Sequence, residues 1–133
     1  MSFLPRLMIA VGSILLSLAI ALSAWHAHGL TESLTEHAYV SFGRGIGQQI
    51  YAGFGLILCG ILFHLQGSRW VAIAAHGLFL AAILFCGDVY LGALTEKSFG
   101  VAPFGGSLSI LSWLLLGISQ LLPGAKRSAQ ASH

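Results

Sequence analysis

Four stretches of the chain are apolar almost without a break: residues 7–28, 46–66, 70–94 and 102–122. Each is about twenty residues long, enough for a helix rising about 1.5 Å per residue to cross a hydrocarbon core of roughly 30 Å. Polar positions gather between them, in a longer connection at 29–45, a turn at Gly67-Ser68-Arg69 and a loop from Thr95 to Ala102. So short a turn leaves its flanking spans no arrangement but antiparallel neighbours. The pattern predicts an all-α membrane protein, a single bundle of four antiparallel transmembrane helices with a short polar tail at 123–133.

Spacing within the runs predicts how they pack. Ala10, Ser13, Ser17, Ala21, Ala24 and His28 recur every three or four residues and share one face of the first helix. Small residues let membrane helices approach closely, so this face is expected to meet another helix. Arg6 and Ala19-Ile20-Ala21 also resemble the flanks of a cleaved signal peptide. The run continues to Trp25, which suits an anchor at the membrane interface, so a retained span is expected. Ser33-Leu34-Thr35-Glu36 fits a capping box and predicts a helix starting near Leu34 and running into the second span. Gly43, Gly45 and Gly47 fall where that helix enters the membrane, followed by Gln48, Gln49 and Tyr51, with His64 in its last turn. In the third span Gly77, Ala81, Phe85 and Asp88 share a face. Pro103 suits the first turn of the fourth, where its missing N–H leaves nothing unpaired. Gly105, Ser109, Ser112 and Ser119 then give that helix a small-residue face. The expected helix-packing positions are Gly77, Ala81, Gly87, Pro103, Gly105 and Gly106.

Composition agrees with the pattern. Of the 133 residues 56% are hydrophobic and only 8% charged, against about a quarter charged in an average soluble domain. The net charge of +2, with no basic cluster beyond Lys126-Arg127, gives no reason to expect nucleic acid. Cys59 and Cys86 lie inside apolar runs and read as small hydrophobes rather than a disulfide. Arg6, Arg69, Lys126 and Arg127 fall on one side of a four-span topology, and Arg44 and Lys97 on the other. The excess of basic residues places both termini in the cytoplasm.

Candidate chemistry concentrates at the opposite, outer end. His26, His28, His37, Glu32, Glu36, Asp88 and Glu96 all fall there, inviting a metal reading. The spacing argues against it: residues two apart on a helix point away from each other, and no His-x-x-x-His or Cys-x-x-Cys accompanies them. No metal or other cofactor is therefore expected. His64 and His76 differ in depth by too much to be two axial haem ligands. No nucleophile–base pair or phosphate-binding loop is visible, so no enzymatic activity is expected. A carboxylate such as Asp88 near the end of an apolar helix is costly against lipid and should face protein. Helical rise puts His28 within roughly 3 Å of Asp88 in height, and these two are expected to pair. Gln48 and Tyr51 are the next candidates, so the outer polar network comprises His26, His28, Gln48, Tyr51, Asp88 and Tyr90.

Three segments together carry a resemblance. Ala24-Trp25-His26-Ala27-His28-Gly29-Leu30 is similar to a Gly-Ala-Phe-Gly-Ala-His-x-Leu motif. Phe85-Cys86-Gly87-Asp88-Val89-Tyr90 is similar to Phe-Ser-Gly-Ser-x-Tyr, and Ala102-Pro103-Phe104-Gly105-Gly106 with Trp113 downstream to Thr-Pro-x-Gly-Gly with its Trp. In this order, over nearly the whole chain, they resemble the domain of unknown function 423 family, small multi-span bacterial inner-membrane proteins with eukaryotic relatives. The chain departs from the family's Tyr-Gln-x-x-His in the second span: Gln48 is kept and Tyr51 stands where the histidine would be. Asp88 replaces a small serine, and His26 a glycine. The resemblance implies a topology and a bacterial inner-membrane location, and brings no settled activity. The expected role is that of an accessory or stabilising subunit of a membrane assembly, in contact with the bilayer and with other membrane proteins or copies of itself. The alternative is a protein binding a metal or small ligand around His28 and Asp88.

Overall fold

The structure, a computed structural model, describes residues 1–122. The expected polar tail at 123–133 lies outside the described residues. Four helices follow in order: α1 (Phe3–His28), α2 (Glu36–Gln66), α3 (Arg69–Thr95) and α4 (Ala102–Ser119). All four are long and apolar enough to cross a membrane. They are antiparallel and pack largely in chain order, α1 on α2, α2 on α3, α3 on α4, with only a light touch between α2 and α4. The bundle is therefore open, with α2 and α3 as its middle.

The helix boundaries follow from local chemistry, with one departure from expectation. Thr35, not Ser33, caps α2, its hydroxyl accepting from the Ala38 amide at 3.1 Å. Residues 29–34 turn instead, because buried Leu30 ties back to the Trp25 carbonyl and Leu34 to that of Leu30. Gly67 ends α2 at φ 64° and returns its amide to the Phe63 carbonyl at 2.8 Å. Only glycine adopts that left-handed conformation without strain, so the α2–α3 turn can be this short. α4 closes at Ser119, one turn short of the expected Leu122.

Packing depends on missing side chains. A Cβ on Gly12 would stand 2.5 Å from the Gly53 carbonyl oxygen, so α1 and α2 meet almost backbone to backbone. A Cβ on Gly105 would stand 2.6 Å from the Phe85 amide nitrogen, and one on Gly77 would collide with the Ser112 hydroxyl, so α3 and α4 meet as closely. Gly87, grouped with these from the sequence, faces open space. The core divides in two. One cluster, around Leu56, Cys59, Val71, Leu78 and Leu116, lies toward the 67–68 turn; the other, around Ala19, Leu30, Phe42, Ile46 and Ala93, toward the 29–35 loop.

The small-residue face of α1 is turned the other way from expectation. Ala10, Ser13, Ser17, Ala21, Ala24 and His28 are all exposed, whereas Pro5, Met8, Gly12 and Ala19 are buried against α2. The α2 surface offered to α1 already contains the glycines, so α1 fills it with larger side chains such as Leu16, which covers Gly53.

Candidate functional site

Gln49 sits near the middle of α2 and is 5% exposed. A buried amide needs partners for both its donor and its acceptor. Its Nε2 donates to the Leu15 carbonyl of α1 at 2.8 Å, and its Oε1 accepts from the Tyr90 hydroxyl of α3 at 2.8 Å. One side chain thus joins three helices. Tyr90 can reach it because position 45 is glycine, where a Cβ would stand 2.6 Å from the tyrosine ring. Beside it the Cys86 thiol donates to the Gly45 carbonyl at 3.1 Å.

Above this network is an aromatic cluster. The His26 ring stacks on Tyr39 with centroids 3.9 Å apart, and its Nε2 donates to the Tyr39 carbonyl at 2.8 Å. Phe42 packs between Trp25, at 5.8 Å, and Tyr90, at 4.7 Å. His26 is therefore engaged in holding the end of α1 to α2.

Asp88 is also 5% exposed, but its charge meets no cation among the described residues. Its Oδ1 accepts from the Ser98 hydroxyl at 2.9 Å and the Phe99 amide at 2.7 Å, and its Oδ2 from the Ala102 amide at 2.9 Å. Ala102 is the first residue of α4, so the carboxylate faces the positive end of that helix as a capping residue would. The expected His28–Asp88 pair is not formed: the carboxylate's hydrogen bonds all go to the α3–α4 loop, and His28, the last residue of α1, is exposed. The imidazole that shares a pocket with it is that of His37, which with Ser41, Asp88 and Ser98 lines a space of about 240 Å³. Which neighbour Asp88 faces depends on a loop that helical spacing does not describe.

Gln48 and Tyr51 turn away from this network. They line a groove of about 510 Å³ between α2 and α4, opposite Gly106, Ser109, Ile110, Trp113 and Leu114. Among the described residues the side chains of Gln48, Tyr51 and Ser109 make no hydrogen bond. The six residues expected to form one polar network thus separate into four places: His26 and Tyr90 both pack on Phe42, with Tyr90 also bonded to Gln49, Asp88 lies under the loop, Gln48 and Tyr51 line the groove, and His28 is exposed. Gln49 and Ser98 were missed. Gln49 stands next to Gln48 in the sequence, and only the rotation of α2 tells the two apart. Among the described residues no three His, Cys, Asp or Glu side chains converge as metal ligands would, which leaves the metal alternative without support.

A protein-family model described as "Protein of unknown function (DUF423)" matches residues 22–106. The UPF0382 membrane protein of Staphylococcus haemolyticus is 31% identical over 118 residues, 86% of this chain and 94% of that one. The UPF0382 membrane protein YwdK of Bacillus subtilis is 28% identical over 117 residues, 86% of this chain and 95% of its own. No solved structure matches the chain. With its four apolar spans, the chain belongs to the DUF423 family of uncharacterised membrane proteins and is a multi-pass protein of the bacterial inner membrane.

Proposed function

We propose that the protein is a non-enzymatic accessory or stabilising subunit of a larger membrane assembly, docked through the outward face of α1. The observation that carries this reading is the orientation of Ala10, Ser13, Ser17, Ala21 and Ala24, a continuous small-residue surface that the protein's own bundle does not use. Where lipid surrounds a helix, such a surface gains little against acyl chains and most against another helix. Gln49 and Asp88, the buried amide and carboxylate, have their hydrogen bonds within the bundle.

A photo-crosslinking residue at Ala21, in cells, tests this. The expected product joins the chain to one defined membrane protein or to a second copy, and Ala21→Leu abolishes that complex; crosslinks to lipid alone overturn the proposal. Both termini face the cytoplasm in this reading, on the excess of basic residues at that side. A cysteine at Ser33 or Lys97 then reacts with an impermeant thiol reagent from outside the cell while one at Ser68 does not, and the reverse pattern inverts the topology.

A further inference from the structure

The α2–α4 groove holds polar side chains at a depth where they have little else to bond. Arg44, Gln48 and Tyr51 stand four and three residues apart and share one face of α2. At about 1.5 Å per residue, Gln48 lies roughly 6 Å and Tyr51 roughly 10 Å below Arg44 along the helix. Gly55 packs on Trp113, and the side-chain amides of Gln66 and Gln120 bond each other further down. α2 and α4 therefore run side by side, and Arg44 stands level with the start of α4, at the mouth of the groove. It is exposed and has no carboxylate partner among the described residues.

The resulting order of chemistry runs from a cation at the mouth, through an amide, a phenol and a hydroxyl (Gln48, Tyr51 and Ser109), to an apolar floor of Ile110, Trp113 and Leu114. The polar layer of a bilayer is about 5–7 Å thick on each side of the hydrocarbon, so a guanidinium among the phosphates puts Gln48 near the glycerol esters. An amide left unpaired in hydrocarbon is costly. An ester carbonyl accepts from it, and a phosphate accepts from arginine in charge-assisted geometry.

We propose that this groove binds one glycerophospholipid from the leaflet at the 29–35 loop end of the molecule. Arg44 holds its phosphate, Gln48 with Tyr51 and Ser109 donates to its ester carbonyls, and one acyl chain lies along Ile110–Leu114. The site is independent of α1 and of any docking there.

Native mass spectrometry of the full chain, delipidated in mild detergent and titrated with phosphatidylglycerol, tests it against the diether analogue, which has the same headgroup but no carbonyls. Wild type is expected to take up one diester lipid, with inorganic phosphate no competitor. Losing a charge-assisted contact, Arg44→Gln weakens both lipids about tenfold, whereas Arg44→Lys weakens them less. Gln48→Leu weakens the diester about fivefold and leaves the diether unchanged. Tyr51→Phe and Ser109→Ala, which barely change volume, weaken the diester in the same selective way and carry the test if Gln48→Leu does not fold. Equal binding by wild type, Arg44→Gln and Gln48→Leu overturns the proposal, as does an equal loss of diester and diether on Gln48→Leu. A lipid-free wild-type dimer that Gln48→Leu dissociates also overturns it and gives the groove to a second copy.

Discussion

The two outer helices, α1 and α4, face the same problem and solve it in opposite ways. Each packs mainly on one inner helix and each carries a row of small residues. α4 turns its row inward, so that Gly105 and Ser112 let α3 come close. α1 turns its row outward and buries Pro5, Met8, Gly12 and Ala19 instead, with Leu16 laid over Gly53. The difference lies in the partner. On α2, Gly53 leaves room for Leu16 of α1, whereas α3 brings glycine only at Gly77 and meets α4 higher up with the Phe85 and Ala81 backbone, which only Gly105 can approach. A row of small residues permits close packing; whether its own bundle uses it depends on what the opposing helix supplies.

The largest expected effect belongs to the inward row. Gly105→Leu drives a side chain into the backbone of Phe85 and Ala81, and should cost about 3 kcal/mol or more. Aggregation, or a collapsed thermal transition in detergent, is the expected reading. A variant as stable as wild type would mean that α4 is not held as described.

Next comes the connection that places α4. Asp88→Ala leaves the Phe99 and Ala102 amides and the Ser98 hydroxyl without their acceptor, and should destabilise the protein by about 2 kcal/mol. Asp88→Asn, which keeps an acceptor oxygen, should lose less. Hydrogen exchange at residues 98–102 should rise in both, more in the alanine variant; unchanged exchange would show that the loop is held by something else.

Smallest of all is the effect at the outward row. Ala21→Leu should leave thermal stability of the isolated protein within about 0.5 kcal/mol, because the added side chain meets nothing in its own bundle. A large loss there would place Ala21 inside the bundle and erase the contrast between α1 and α4.

The spans and their order were legible because hydrophobic run length and a three-residue turn have few structural solutions. So was the inward face of α3, with Gly77, Ala81 and Asp88, since a carboxylate has to avoid lipid. The face of α1 was not, for the reason just given. Gln48 and Gln49 show the same limit more sharply. They are chemically identical neighbours, yet one is hydrogen-bonded at the centre of the bundle and the other opens onto a groove. Their fates are set by the rotation of α2, which the contacts of Gly53 with Gly12 and of Gly45 with Tyr90 fix. Those are contacts between distant segments, and no local pattern reports them. The partner of Asp88 was hidden differently: two of its three donors are backbone amides, which any residue type supplies.

That arrangement bears on how the chain is made. The donors to Asp88 lie 10, 11 and 14 residues further along the chain. At about 5–20 residues per second of synthesis they emerge on the order of a second after the carboxylate itself. A buried charge that had to find a cation on a remote helix would enter the membrane unpaired and wait. Here the chain that follows brings the donors, so α3 and α4 can insert as a hairpin that solvates its own charge.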